Sequence, residues 1–493
     1  GFACADAQQR PVYKKPVAQK SPRASGFRQV QTKPVLRVNT DHSRWLVGVA
    51  RRLINPLPGV ELAGLGYYLN RTWERIHDNL TATALVITDE HDRSAALVAL
   101  DLMYNDAQFT ANVRKLAVAK TGLPPDSICI NCSHSHNAPT AGLIRGCGEQ
   151  HSAYLDFAAR QAADAVIDAW NNRQPAKLFV GAGELAGMTF NRTRENGLTD
   201  NRVSVLRADT RDGRPLALAI NFHSHCTAHM EVDLHAVGRD WPGEVADQLE
   251  AALPGVTAMY LQGTCGDVNF RREFNGTQKR FEPARALVRL ALEACQNARK
   301  IERPGVAVCS RKITLPTRRW QHQELQRDRE EGLYRLRTGD TSGWLDGIAR
   351  ACVNQPERLP LRYAGSVEKA VASVARFAVE WTGDMLAKVE RMPETLEVEV
   401  QAMRIGDVYF AANPSELFTS FGLKLRREWP RSDLFMLGYS NGSIGYLPDA
   451  YEIERCGYAA IQSPKFTGQF PFTDASGPAM VHGLHDALEA TEH

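Results

Sequence analysis

Long apolar runs are missing from this 493-residue chain. The best of them, Ala95 to Leu100, meets Asp101 far short of the roughly 18 residues that a membrane-spanning helix needs, which excludes one. A surplus of one charge is missing too. The net charge of +3 gives no reason to expect nucleic acid as a partner. No internal repeat is visible, and the ten cysteines form no array of paired CxxC motifs. Cys129-Ile-Asn-Cys132 stands alone, without a second pair at zinc-binding spacing. These two are read as core thiols rather than as a zinc or redox centre. The even count permits disulfides in an oxidising compartment, but the spacings identify none.

What is present is enough apolar material, 43% of residues, to bury a large core. Residues 1–40 differ from the rest, with eight Lys or Arg against one Asp, four prolines and little periodicity. They read as a basic arm, extended or disordered, or else laid along the body. The opening Gly1-Phe-Ala-Cys-Ala reads as the remnant of an export signal, which implies a periplasmic or secreted protein. The body, residues 41–493, reads as one large domain. Apolar runs flank Asp89-Glu-His-Asp-Arg93 and Arg211-Asp-Gly-Arg214, two strand-turn-strand signals. Residues 105–120 and 151–172 have helical spacing, with Leu155, Ala158, Ala162, Val166 and Trp170 on one face of the second. Further helices are expected from Pro242 to Leu253, over 281–299 and over 415–428. Strands are expected at Ala258 to Leu261, around 396–411 and near Leu434. This irregular alternation predicts an α/β fold of mixed-sheet, α+β character. Residues 317–392, rich in charge and in exposed-looking Trp320, Tyr334 and Trp344, read as a helical insertion that can serve as a lid.

Polar clusters follow several of the apolar runs. Asn131-Cys-Ser-His-Ser-His136 follows Ile128-Cys-Ile130, and His223-Ser-His225 follows Leu216 to Phe222. In an extended chain the two histidines of each pair project from one face. Gly266-Asp-Val-Asn269, Asn413-Pro-Ser-Glu416 and Gly438-Tyr-Ser-Asn-Gly442 occupy similar positions. Loops at strand ends hold catalytic groups rigidly while solvent reaches them. Two histidines and a carboxylate are a normal catalytic zinc set, and the metal lowers the pKa of a bound water towards ~7.

In order and spacing these segments resemble the neutral and alkaline non-lysosomal ceramidases, over the catalytic domain only, roughly residues 45 to 490. Ser133-His-Ser-His-Asn-Ala-Pro139 matches the family's His-x-His motif, so the resemblance makes His134 a zinc ligand and His136 a residue of the catalytic pocket. The His after an Asn-Phe strand falls on His225, and the Pro-x-Glu ligand on Glu416. Gly445-Tyr446 matches the family's tyrosine ligand, and Tyr458, twelve residues on, its second active-site tyrosine. Asn191-Arg192 resembles the segment whose arginine lines the pocket, and Asp240-Trp-Pro-Gly243 a family Asp-x-x-Gly. Residues after Tyr458 are too few for the family's immunoglobulin-like domain. One departure matters: the family's Gly-Asp-x-Ser-Pro reads Gly266-Asp-Val-Asn269-Phe270 here. Asn269 replaces the active-site serine and can hold a carbonyl or a water but cannot act as a nucleophile.

The expectation is therefore a zinc (Zn2+) hydrolase of ceramidase-like type. His134, His225, Glu416 and Tyr446 hold the metal, and His136, Arg192, Tyr458 and Asn269 serve the chemistry. Asp240 and Asp267 orient ligands or fix loops. An amide (N-acyl) bond is the leading target, with weak or absent hydrolysis of ceramide itself expected from Asn269. A glycosidic, ester or lactone bond is the alternative within enzymes, so the substrate is a small molecule, a lipid or a glycan. A non-catalytic binding protein on the same scaffold is the alternative outside them.

Overall fold

The computed structural model describes residues 45–493 apart from Leu69, Glu231, Val353, Asn354 and Ser432; the basic arm expected over residues 1–40 lies outside the described residues. The main sheet is laid down by β1 (Trp45–Leu53), β2 (Thr81–Thr88), β3 (Ser94–Leu100) and, after helix α1 (Ala107–Thr121), β4 (Ile128–Cys132). Helix α2 (Ser152–Asn171) leads to β5 (Gln174–Glu184), β6 (Arg202–Thr210) and β7 (Pro215–Phe222), and helix α3 (Asp240–Ala252) to β8 (Thr257–Gln262). The spatial order is β8-β7-β6-β5-β1-β2-β3-β4, with Arg299–Lys300 added on β5. The outer pairs β3·β4 and β7·β8 are parallel, and the inner pairs are antiparallel. This is the mixed sheet the sequence predicts.

Helix α4 (Glu282–Gln296) then precedes a second sheet of β9 (Val306–Pro316), β10 (Thr395–Ile405), β11 (Val408–Ala412) and β12 (Asp433–Leu437), in that order, with β11·β12 parallel. Helices α5 (His322–Thr338) and α6 (Val367–Leu386) lie between β9 and β10, and α7 (Thr419–Glu428) between β11 and β12. Helix α8 (Ser476–Glu489) ends the fold.

All residues of β2 are buried, and their alternation explains why that run is apolar throughout. Ala82, Ala84 and Val86 join Val113 of α1 and Ala158, Ala162 and Val166 of α2 in one core. Leu85 and Ile87 face the other way and meet Met403, Ile405, Phe410 and Phe435 of the second sheet. A strand covered on both faces has no solvent side to mark with polar residues. Helices α3 and α4 cover β6 to β8 through Trp241, Val245 and Leu287. Helices α7 and α8 cover the outer face of the second sheet through Leu425, Met480 and Leu484. The layers thus run helix, sheet, sheet, helix.

Local chemistry sets the helix ends. The Asp106 carboxylate accepts from Phe109 N at 2.7 Å to start α1, and Gly122 at φ 72 closes it. Two expected boundaries move. Helix α3 begins at Asp240, so Pro242 lies within the first turn, where a missing N–H costs nothing. The helix expected from residue 415 begins at Thr419, and Glu416 lies in a short strand, Glu416–Leu417. The aromatics of the helical insertion are also mostly inside. Trp320 and Trp344 are buried with Leu325, Phe377 and Trp381, and only Tyr334 is exposed. Their charged neighbours gave them a surface look, but paired helices build a core of their own.

Candidate metal centre and cavity

The polar clusters leave the C-terminal ends of parallel strands: the first histidine pair after β4, the second after β7, Gly266 to Asn269 after β8, Glu416 after β11 and Tyr446 after β12. Parallel neighbours deliver their loops to one edge, which is where open α/β sheets build sites. Two buried side chains lock the edges together. Asn131 Nδ2 donates to the carbonyls of Gln262 at 3.1 Å and Gly438 at 2.7 Å, while its Oδ1 accepts from Gln262 N at 2.7 Å. Gln262 Nε2 donates to the carbonyls of Ser133 and Ser224, beside both histidine pairs. Removing one partner from such a set leaves buried groups unsatisfied. Asn131→Leu is expected to lower stability by about 2–4 kcal/mol, measured by urea unfolding; a change under about 0.5 kcal/mol would mean the loops are held otherwise.

The first histidine pair converges, but not by the extended alternation expected of it. His134 adopts a left-handed φ of 62°, a conformation that costs a non-glycine residue on the order of 1–3 kcal/mol. Its N–H donates to Leu102 O at 3.1 Å, and the preceding Ser133 N–H to Leu100 O at 2.9 Å, so the end of β3 holds the turn. His134 and His136 then bring their Nε2 atoms within 3.3 Å. In the second pair only His225 joins. His223 Nδ1 accepts from Thr264 N and its Nε2 lies 3.4 Å from Asp200, away from the cluster.

Each converging imidazole is fixed by a backbone carbonyl. Nδ1–H of His134 donates to Met103 O (3.1 Å), that of His136 to Gly64 O (2.9 Å), and that of His225 to Val268 O (3.2 Å). A carbonyl only accepts, so Nδ1 carries the proton and each Nε2 presents a lone pair. Glu416 Oε2 lies 3.4 Å from His134 Nε2 and 3.2 Å from His225 Nε2. Tyr446 OH lies 3.3 Å from His225 Nε2. The short parallel pairing of Glu416–Leu417 with Tyr446–Leu447 sets Glu416 directly opposite Tyr446, which a helix at 416 would have prevented. Gly266 makes room for this, since a Cβ there would stand 2.3 Å from the Glu416 carbonyl.

This donor set fits a divalent ion. Ligand atoms at about 2.0–2.1 Å from a tetrahedral zinc stand about 3.3 Å from one another, and among His134, His225, Glu416 and Tyr446 the Glu416–His134, Glu416–His225 and His225–Tyr446 separations are 3.2–3.4 Å. The three imidazoles alone form a group able to hold a metal. Nitrogen and oxygen donors of this mix suit zinc among borderline ions.

Electrostatics follow from burial and from these neighbours. Burial alone would raise the Glu416 carboxyl, but positive charge at His134 or His225 outweighs it and holds it well below its ordinary value, a part that a bound cation plays when the imidazoles are neutral. Burial, then the Arg192 charge, brings His225 down to about 4, and burial with the other two imidazoles lowers His136 strongly. The Tyr446 phenol is pushed well up by burial, against the pull of Arg192, whose Nη2 donates to it at 2.6 Å. A nearby cation is what reverses such a penalty.

Two residues around Glu416 have no counterpart in the sequence reading. Tyr104 OH donates to Oε1, and Tyr439 OH donates to Oε2 at 3.4 Å. Tyr104 follows the apolar end of β3, the same signal that marked the histidines. Tyr439 sits inside a segment singled out without a role. Asp240 and Asp267 fix loops rather than ligands. Asp240 accepts from the backbone N–H of Ala228 and His229, and Asp267 from Thr419 N and Asn191 Nδ2. Cys129 and Cys132 are buried and unpaired, as expected of core thiols.

Above the cluster opens a cavity of about 800 Å³, whose walls include His136, Arg192, Asn269, Tyr446 and Tyr458. The Tyr458 ring meets that of Tyr446 edge-on at 5.5 Å. The Asn269 carboxamide oxygen is buried without a hydrogen-bond partner among the described residues. The segment Pro356–Tyr363 of the helical insertion supplies Glu357, Arg358, Leu361 and Arg362 to the same cavity. Among the described residues no helix is long and apolar enough to cross a membrane.

No family model and no curated protein matches the chain. Solved structures do. A neutral ceramidase from Pseudomonas aeruginosa aligns with a TM-score of 0.67 at 17% identity, over 92% of this chain and 75% of that one. A ceramidase complexed with C2 aligns at 0.66 and 19% identity, over 91% and 75%. At that identity the likeness speaks for the fold: this chain is built on the fold of the neutral ceramidases.

Proposed function

We propose that the protein is a zinc-dependent hydrolase acting on an amide (N-acyl) bond. The observation that carries this reading is the convergence of three imidazole Nε2 atoms, the Glu416 carboxylate and the Tyr446 phenol beside a cavity that His136 and Tyr446 line. His134, His225, Glu416 and Tyr446 would hold the ion. When bound, zinc supplies Lewis-acid activation of a water and of the carbonyl. The chain's own groups do the rest. Arg192, charged and tied to Gly266 O at 2.9 Å, keeps Tyr446 oriented. Tyr458, on the cavity wall, donates to the oxyanion that develops on the carbonyl oxygen. His136 has its Nδ1 committed to Gly64 O, so its Nε2 is the atom able to take and return a proton. Asn269 positions the substrate amide through its unpartnered carboxamide oxygen. The ceramidase fold of the solved relatives supports hydrolysis as the reaction class.

Metal analysis joined to an activity screen tests the reading. About one zinc per chain and turnover of an N-acyl substrate, lost on chelation and restored by zinc, is the expected result. Zinc-dependent turnover of glycosides, esters or lactones alone would move the assignment to another bond. Long-chain ceramide is expected to be cleaved weakly or not at all, because Asn269 stands where the resemblance expects serine. Efficient ceramide cleavage by the wild type would reverse that exclusion. Asn269→Ser alone is not expected to create a good ceramidase, since the cavity walls are unchanged.

A further inference from the structure

The cavity lining holds five arginines and only two glutamates. Arg192 and Arg455 have internal work. Arg192 donates to Tyr446, and Arg455 pairs with Glu452 Oε2 at 2.6 Å. Arg362 is different. It lines the cavity, its Nη1 is buried without a hydrogen-bond partner, and no carboxylate among the described residues pairs with it. Its charge is felt by Arg71, which is fully buried. Arg71 Nη1 donates to Ala63 O at 3.1 Å and Nε to Leu234 O at 2.7 Å, while its Nη2 has no partner. Ala63 precedes the glycine whose carbonyl orients His136, so this guanidinium lies beside the centre. Burial and then the Arg362 charge bring Arg71 down to about 10, so it stays charged at neutral pH. Asp233 offsets part of the cost at Arg71, but no carboxylate pairs with Arg362 among the described residues, and a desolvated charge with a spare donor is costly unless an anion joins it.

We propose that the substrate is an anion, an N-acyl amino acid or a similar amide with a carboxylate next to the scissile bond, and that Arg362, backed by Arg71, binds that carboxylate. This rests on the amide-hydrolase reading for the bond but not for the anion. The position suits the role, because Arg362 lines the same cavity as Tyr458 and Tyr446, whose rings are in contact. A carboxylate on the amine side of the amide would thus share the cavity with the reacting carbonyl. Met230, Leu234 and Phe466 line the same cavity and offer an apolar wall to the acyl group. A guanidinium fits a carboxylate through two parallel N–H groups, which a neutral amide cannot match.

The test is calorimetric binding of N-acetyl-L-phenylalanine and its C-terminal amide to the zinc-loaded full chain and to Arg362→Gln. The wild type is expected to bind the acid at least about tenfold more tightly than the amide. In Arg362→Gln that preference should shrink to within about twofold, and Arg362→Lys should keep part of it. Equal binding of both probes by the wild type overturns the proposal, whether or not the variants fold. So does full preference in a folded Arg362→Gln, which would mean that the metal centre takes the carboxylate. If the wild type hydrolyses no N-acyl substrate yet keeps the arginine-dependent preference, the amidase reading falls and the anion site stands.

Discussion

Replacing His225 with alanine is expected to strip the protein of most of its zinc and all but a trace of its activity. His225 Nε2 is the donor that links Glu416 at 3.2 Å to Tyr446 at 3.3 Å, so its loss breaks the ligand set in the middle. Partners outside the first ring of ligands already cost 10–100-fold in metal affinity, and a direct ligand should cost at least about a hundredfold. The fold should survive, because Trp241 Nε1 donates to the backbone carbonyl of residue 225 and not to its ring. His136→Ala is the contrast. His136 stands 3.3 Å from His134 and within the same group of imidazoles, but the proposed reading gives it a proton-transfer role, so that variant should retain zinc while turnover falls. Metal analysis on dialysed protein and circular dichroism decide between the outcomes. Full zinc retention in His225→Ala would sink the ligand assignment. Zinc loss in His136→Ala equal to that in His225→Ala would make His136 a ligand too.

Tyr446→Phe and Tyr458→Phe are expected to fail in different ways. Tyr446 accepts from Arg192 at 2.6 Å and stands opposite Glu416, so removing its oxygen should lower zinc affinity and turnover together. Tyr458 touches Tyr446 only through ring contact and faces the cavity. Its hydroxyl should matter only as charge develops on the carbonyl oxygen. Losing one such donor costs roughly a hundredfold in kcat, about 3 kcal/mol, with zinc retained. Turnover and metal content measured on both variants separate the roles. Near-wild-type turnover in Tyr458→Phe, or zinc loss there as large as in Tyr446→Phe, would show that the two hydroxyls do not divide the work this way.

Much of the fold was legible because it is written in short-range pattern. The hairpins at residues 89–93 and 211–214, the α2 face of Ala158, Ala162 and Val166, and the helical run after β9 all rest on neighbours within a few turns or strands. Misreadings arose where local pattern and tertiary use diverge. Residues 415–418 have helix-compatible neighbours, yet pairing with Tyr446–Leu447 draws Glu416 into a strand. His134 sits at the end of a strand pattern, yet the end of β3 captures its N–H and forces a left-handed turn.

The candidate site divides along the same line. That residues 134, 136, 225, 269, 416, 446 and 458 deserved notice came from the sequence, through polar clusters after apolar runs and through a resemblance in their order. That they share a centre is a property of two sheets meeting. Asn131 and Gln262 join loops more than a hundred residues apart, and no local period encodes which loop faces which. The same holds for Arg71 and Arg362. As letters in the chain they are ordinary surface-type residues, and only packing buries Arg71 and leaves donor atoms of both without a hydrogen-bond partner among the described residues. Burial is a collective outcome of the whole fold, so a desolvated charge cannot be read from its own neighbourhood.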